Sequence, residues 1–356
     1  MPGGWPRARR RSRRAPERWH PRGTVLITGG TGALGAHTAR WLARRGARRI
    51  LLAGRLGERA AGAAELIEEL RGLGAAATAV SCDVTDRAAV AELLASVPRD
   101  APLSAVVHAA GALDVRSLAD TTIDDLVEAT AAKVAGAHHL DALLADTPLD
   151  AFVLFSSNAG VWGSGNQAAY GAGNAYLDAL AQQRRGRGLA ATSIAWGAWD
   201  GDGMVSADIR RYLERHGVLP MDPERAVEAL GDAVEHGDTV VTIADVDWER
   251  FVPAFTSARP SPLLAHLAPA PGSPEREENA PAGAAEPGGT GLARALAGMP
   301  AADRRGWTLD LVRSHIAAVL GFAARTPSAR TRPSANSGST RSPRWNCATG
   351  WPRPPA

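Results

Sequence analysis

The sequence is poor in aromatic residues, which make up 5% of it, and carries only two cysteines, Cys82 and Cys347. The two stand far apart in unlike contexts, so neither a disulfide framework nor a metal site is expected. No run of about 18 apolar residues occurs, and no apolar stretch follows the basic N-terminal segment as an export signal would require. Export and membrane insertion are therefore not expected, and the cytoplasm is the default location. Eight arginines crowd the first 22 residues (Arg7, Arg9, Arg10, Arg11, Arg13, Arg14, Arg18 and Arg22). No aromatic-lined reader follows them, so residues 1–21 read as a solvated, disordered arm rather than a nucleic-acid site.

What remains is ample for a core: 356 residues, 45% of them hydrophobic, enough for one large domain with extras or for two. Gly23 to Thr28 reads as a short buried strand. Gly29-Gly30-Thr31-Gly32-Ala33-Leu34-Gly35 follows at once, and a helix runs from Leu34 to Arg45. Strand, glycine turn and helix N-terminus in that order make an anion site. The glycines let the backbone approach a pyrophosphate, and free N–H groups with the helix dipole stabilise its charge. The second strand, Arg49 to Ala53, ends in Gly54-Arg55-Leu56-Gly57. An acid there would bind the ribose hydroxyls of NAD; the first acid is instead Glu58, and Arg55 offers a guanidinium for a 2′-phosphate, so NADPH is preferred.

The alternation continues through a helix over Ala60–Leu73, a strand over Ala76–Cys82 and a helix over Ala88–Val97. Asp83 is placed to meet an adenine amine. The fourth strand, Leu103–His108, runs into Ala109-Ala110-Gly111, small residues that would lie against a nicotinamide ribose. A long helix over Ile123–Leu144 contains Lys133. The central strand Ala151–Phe155 leads into Ser156–Tyr176, where Ser157 at a strand end and Tyr170 at a helix start can converge on one carbonyl oxygen. Strands over Ala190–Ala195 and Thr239–Ile243, with a helix over Pro223–Glu235 between them, bring the strands to seven. The fold expected is α/β: a Rossmann-like, doubly wound parallel sheet with helices on both faces. After Phe255, residues 257–290 are an aperiodic Pro/Ala/Gly-rich linker, followed by an amphipathic helix over Leu309–Leu320.

Taken together, Thr28-Gly-Gly-Thr-Gly-Ala-Leu-Gly35, His108-Ala-Ala-Gly111, Lys133, Phe155-Ser-Ser157, Tyr170-Gly-Ala-Gly-Asn174 and Trp196-Gly-Ala-Trp199 resemble the ketoreductase domain of modular polyketide synthases. These domains belong to the short-chain dehydrogenase/reductase superfamily, and the resemblance covers about residues 22–256. Its most specific feature is Tyr170-x-x-x-Asn174: ordinary short-chain dehydrogenases have lysine there, whereas synthase ketoreductases exchange the lysine and asparagine positions, which makes Lys133 the lysine. The resemblance implies reduction of a β-ketoacyl thioester carried on the phosphopantetheine of an acyl carrier protein, within polyketide synthase modules. Tyr170 would donate the proton, Ser157 hold the carbonyl oxygen, Lys133 lower the phenol's pKa and bind ribose, and Asn174 steady the lysine or a relay water. It also implies a cofactor set of Thr28, Gly29, Gly30, Thr31, Gly32, Leu34, Gly35, Arg55, Asp83, Val84, Ala109, Ala110 and Gly111.

Stereochemistry follows from the same resemblance. B-type enzymes carry Leu-Asp-Asp after the fourth strand, and Leu113-Asp114-Val115 lacks the second acid. A-type enzymes carry a tryptophan eight residues before the tyrosine, and Trp162 stands there, so the L-configured β-hydroxyl is expected. Gln167, where epimerising A-type enzymes usually have histidine, implies that an α-substituent is left as it came. Trp199, Met204 and Ala207–His216 resemble the family's mobile lid.

Three departures stand against the pattern. The turn after strand two often reads Ser-Arg-Arg, and Gly54-Arg55-Leu56 lacks one of these contacts. The truncated half that normally braces the catalytic half is not found ahead of it. Residues 291–322 resemble the start of an acyl carrier domain, but no Asp-Ser pair for phosphopantetheine follows. Residues 323–356 read instead as a disordered, frameshifted tail: one base earlier, the codons allow Gly-Phe-Asp-Ser-Leu, the serine codon straddling Thr340 and Arg341. Two other readings stay open on the sequence. One is another short-chain reductase or epimerase, disfavoured by the lack of lysine after Tyr170. The other is a catalytically silent remnant, which the departures favour and the intact Lys133, Ser157, Tyr170 and Asn174 set opposes.

Overall fold

The computed structural model describes residues 18–201, 207–257, 260–265, 267 and 296–320. Seven strands form one sheet: β1 (Thr24–Thr28), β2 (Arg49–Gly54), β3 (Ala76–Ser81), β4 (Leu103–His108), β5 (Ala151–Ser157), β6 (Thr192–Trp196) and β7 (Val240–Ile243). Their spatial order is β3-β2-β1-β4-β5-β6-β7, and every pairing is parallel. The order reverses between β1 and β4, which leaves a crevice beyond their carboxyl ends where such sheets bind ligands.

Alternation along the central strands divides the core in two. Val25 and Ile27 of β1, Ala105 and Val107 of β4, and Val153 and Phe155 of β5 point to one face. There α1 (Ala33–Arg44), α2 (Ala63–Gly72) and α7 (Pro223–Glu235) cover them, through Trp41, Leu66 and Leu230 among others. Leu26, Val106, Phe152 and Leu154 point to the other face, onto α3 (Arg87–Ala95), α4 (Ile123–Leu143) and α5 (Ala168–Gly186). Strands buried on both sides read as continuous apolar runs, as these do.

Caps mark several helix starts. Asp86 accepts from the N–H groups of Ala88 and Ala89, Thr122 and Asp125 form a reciprocal capping box, and Asp222 precedes Pro223 at the first helical position. The helix expected from Ala60 starts later, at Ala63, because a 3₁₀ turn over Gly57–Arg59 and Gly62 at φ 75° come first. Beyond the sheet, α6 (Ala207–Arg215) and α8 (Trp248–Thr256) flank a two-stranded ribbon of Val218–Leu219 against Asp245–Val246. At the other end of the domain, Trp19 belongs to the fold. Its indole lies 6.1 Å from that of Trp41, and its backbone N–H donates to Glu235 Oε1 at 3.1 Å.

The helix anticipated over Leu309–Leu320 starts earlier, giving α9 over Ala301–Leu320. Residues 1–17, Met204, most of the linker expected over residues 257–290 and the tail expected over residues 323–356 lie outside the described residues. No described helix is long and apolar enough to cross a membrane.

Candidate active site

A groove of about 810 Å³ opens at the carboxyl ends of β1, β4, β5 and β6. Its floor at one end is the glycine turn. Gly29 is held at φ 67°, donates to Ala53 O at 2.8 Å and lies so close to Ala109 that a side chain would collide with its backbone. A Cβ on Gly35 would run into Gly29 O. No side chain caps α1 at Gly32, and no acid stands in its first turn. The turn, the uncapped helix start and Ala109–Gly111 therefore form a cradle that fits a dinucleotide pyrophosphate and its neighbouring ribose. Thr31 turns its hydroxyl towards Gly54. Arg55 and Asp83 stand exposed at the ends of β2 and β3, on the same sheet edge but outside the groove lining. Thr85 binds the Asp83 carboxylate through N–H and hydroxyl and, with nearby Arg55, holds its pKa below the usual value. Val84 is buried beneath that edge, against α4.

Lys133, Ser157, Tyr170 and Asn174 come together in the middle of the groove. Lys133 arrives from α4, buried, and its Nζ donates to Phe155 O at 2.8 Å and lies 5.7 Å from the centre of the Tyr170 ring. Burial lowers its pKa to about 8, against the charge of Asp178. A Cβ on Gly111 would lie 2.8 Å from the lysine Cε, so a side chain there would displace the end of Lys133. Burial pushes the Tyr170 phenol up, while the Ser157 and Asn174 side chains favour its ionised form. Ser157 ends β5, its Oγ accepting from Ala159 N–H at 3.2 Å. Asn174 is fully buried. Its Nδ2 donates to Tyr170 O at 2.7 Å, which leaves Oδ1 without a protein partner. A buried acceptor of this kind suits a water or a ligand hydroxyl.

Leu113, Trp162, Gln167 and Trp199 line the same groove. Gln167 is fixed from outside α5: Arg116 bridges to it and donates its N–H to Asn166 O at 2.7 Å, and Asn166 takes φ 58°. Arg116 also pairs with Asp125 and lies 3.9 Å from Asp114. The one acid of the Leu113-Asp114-Val115 triplet thus lies beside an arginine.

Sequence reasoning missed Asp178. It follows Tyr170 and Asn174 at four-residue spacing on α5, accepts from Ser193 Oγ at 2.6 Å and favours the charged form of Lys133. Burial pushes its own carboxyl up. The spacing was the available signal. His108 belongs to the His108-Ala-Ala-Gly111 motif. It is fully buried, bonded to Thr28 Oγ1 at 2.7 Å, and burial lowers its pKa to about 3, so it is neutral.

A family model described as a KR domain matches residues 23–201. The chain belongs to the ketoreductase domains of modular polyketide synthases. Such domains reduce β-keto groups, and their family uses NADP(H). The chain is 51% identical over 327 residues to the pikromycin polyketide synthase component PikAIII of Streptomyces venezuelae, covering 89% of this chain and 21% of that one. It is 54% identical over 316 residues to polyketide synthase GfsA of Streptomyces halstedii, covering 86% and 4%. The chain therefore spans about a fifth or less of these two curated relatives. Among solved structures, A-type ketoreductases from a modular polyketide synthase share 50% identity at a TM-score of 0.70, covering 71% of this chain and 54% of that one. A C2-type ketoreductase shares 46% at 0.66, covering 73% and 56%. The KR match includes the groove floor and all four central side chains, and it ends before α6 and α8.

Proposed function

We propose that this ketoreductase domain uses NADPH to reduce a β-ketoacyl thioester, presented on the phosphopantetheine of an acyl carrier protein, to the β-hydroxyacyl thioester. The observation that carries this reading is the approach of the Lys133 ammonium to the Tyr170 ring from α4, with Asn174 standing one turn after the tyrosine. NADPH, when bound, supplies the hydride to the β-carbon. Ser157 holds the carbonyl oxygen, and Tyr170 gives it a proton as negative charge develops. The Lys133 ammonium stabilises the phenolate left behind, which offsets the upward push of burial on the phenol. Asn174, through its unpartnered Oδ1, holds a relay water or the lysine. The glycine cradle with Ala109–Gly111 would take pyrophosphate and ribose, Asp83 and Val84 the adenine end, and Arg55 the 2′-phosphate.

We also propose A-type reduction to the L-hydroxyl without α-epimerisation, from Trp162 at the groove wall, Gln167 before Tyr170 and the lone acid Asp114. Similarity to A-type structures supports this. The test is to supply a β-ketopentanoyl N-acetylcysteamine thioester with NADPH or NADH and separate the product enantiomers. Faster turnover with NADPH and a predominant L-hydroxyl are expected. Equal use of both cofactors would remove Arg55 from its role, and a D-hydroxyl would overturn the stereochemical reading.

The reading of residues 291–322 as the start of a carrier domain has support in the PikAIII match, which at 89% of the chain extends past the sheet domain. Resequencing the gene tests the frameshift: a shifted frame without Asp-Ser-Leu contradicts it.

A further inference from the structure

Trp162 sits in a segment that cannot orient an indole by itself. Glycines stand at 160, 163 and 165, Gly163 at φ 86°, and beyond the Trp162 N–H bond to Asn158 O at 3.0 Å the loop runs open to the groove. What fixes the ring comes from the far end of the domain. It lies 5.6 Å from the Phe251 ring and 6.3 Å from that of Trp248, edge-on to the latter, and Phe251 stacks on Phe255 at 5.2 Å. Phe251 is 7% exposed and anchors a small third core with Val218 and Leu264, separate from the two that cover the sheet.

The same core holds α6. Leu213 packs into it, and Gly217, just past the helix, takes φ 83° and lies so close to α8 that a side chain there would strike Asp247 O and Phe251 N. Asp247 N–H donates to Gly217 O at 2.8 Å. Trp162 on one wall of the groove and α6 on another are therefore joined through α8, and Phe251 touches both sides of that joint.

We propose that Phe251 is a specificity-determining positioning residue: it sets the Trp162 indole against the groove and thereby fixes which face of the ketone meets the cofactor. The inference rests on the proposed role of Trp162. A wall selects between two faces only while it keeps its position, and close aromatic pairs such as the tilted Trp162–Phe251 pair, with centroids 5.6 Å apart, supply such orientation beyond simple burial. Facial discrimination is a difference between two transition states, so a loosened indole lowers the product ratio as well as the rate.

The experiment measures the enantiomer ratio of the β-hydroxypentanoyl product from the N-acetylcysteamine thioester for wild type, Trp162→Ala, Phe251→Ala and the double variant, with NADPH binding followed by fluorescence. At least a tenfold fall in ratio is expected for both single variants, with no further fall in the double variant. Erosion by Trp162→Ala but an unchanged ratio in NADPH-binding Phe251→Ala overturns this inference and leaves the reading of Trp162 intact. An unchanged ratio in Trp162→Ala overturns both. Should Phe251→Ala fail to fold, Phe251→Leu, which keeps bulk and removes the ring stacking, is read by the same criteria.

Discussion

The Lys133 ammonium lies 5.7 Å from the centre of the Tyr170 ring although the two residues belong to different helices, α4 and α5. Burial lowers the lysine pKa to about 8. Below that pH the ammonium stabilises the phenolate left when Tyr170 gives up its proton; above it, that help is lost. The rate of reduction is therefore expected to fall as pH rises through about 8. A pH–rate profile at saturating NADPH checks this, and a profile flat well above that pH contradicts it.

Asp178 opposes the depression by favouring the charged lysine. Removing its charge in Asp178→Asn is expected to move the alkaline limb to lower pH by roughly half a unit to one unit. A merely structural role would change the rate and leave the limb in place.

The lowered lysine pKa is also a statement about stability. The Lys133 pKa is about 8 in the folded protein against an ordinary lysine value of 10.5 in the unfolded chain, so the unfolded chain binds more protons between those values. Its penalty, on the order of 3 kcal/mol, is full below pH 8 and relieved as pH rises towards 10.5. Lys133→Met should be inactive yet more stable than wild type at neutral pH. Urea unfolding at two pH values measures this, and a less stable variant would refute it.

Gly35→Ala should weaken NADPH binding at least about tenfold, because the new methyl meets Gly29 O and must push the pyrophosphate turn aside. Fluorescence titration gives the affinity. Ala36→Gly, one position along α1, should leave it within about threefold.

Arg184 is 1% exposed, paired with buried Asp141 and set 3.9 Å over the Phe152 ring. Arg184→Ala should cost about 3–5 kcal/mol, because Asp141 keeps its buried charge with only the half-exposed Arg187 opposite. Replacing both as Arg184→Met with Asp141→Leu should recover most of that loss.

The sheet was legible because its strands, buried on both faces, read as short apolar runs between glycine turns and helix caps. Both ends of all seven expected strands fall within two residues of those observed. The cofactor turn was legible for a sharper reason: each glycine there answers a backbone collision, as Gly29 against Ala109 shows. Contacts between distant elements were not legible. Nothing near Trp162 in sequence announces Phe251, since the two meet only after β6, α6 and the ribbon have been laid down. Asp178 was overlooked because a single acid on an alanine-rich helix looks solvated until Ser193 and Lys133 are seen beside it. Trp19 was counted with the basic arm because its partner Trp41 is on α1.

The central claim is that Tyr170 gives the proton, with Lys133 supplied from α4. Its most direct measurement is NADPH consumption with the β-ketopentanoyl thioester by wild type and Tyr170→Phe, alongside NADPH affinity. A fall of at least about a hundredfold in rate with affinity kept within about threefold is the predicted result. Equal rates in the two proteins, both binding NADPH, would contradict it.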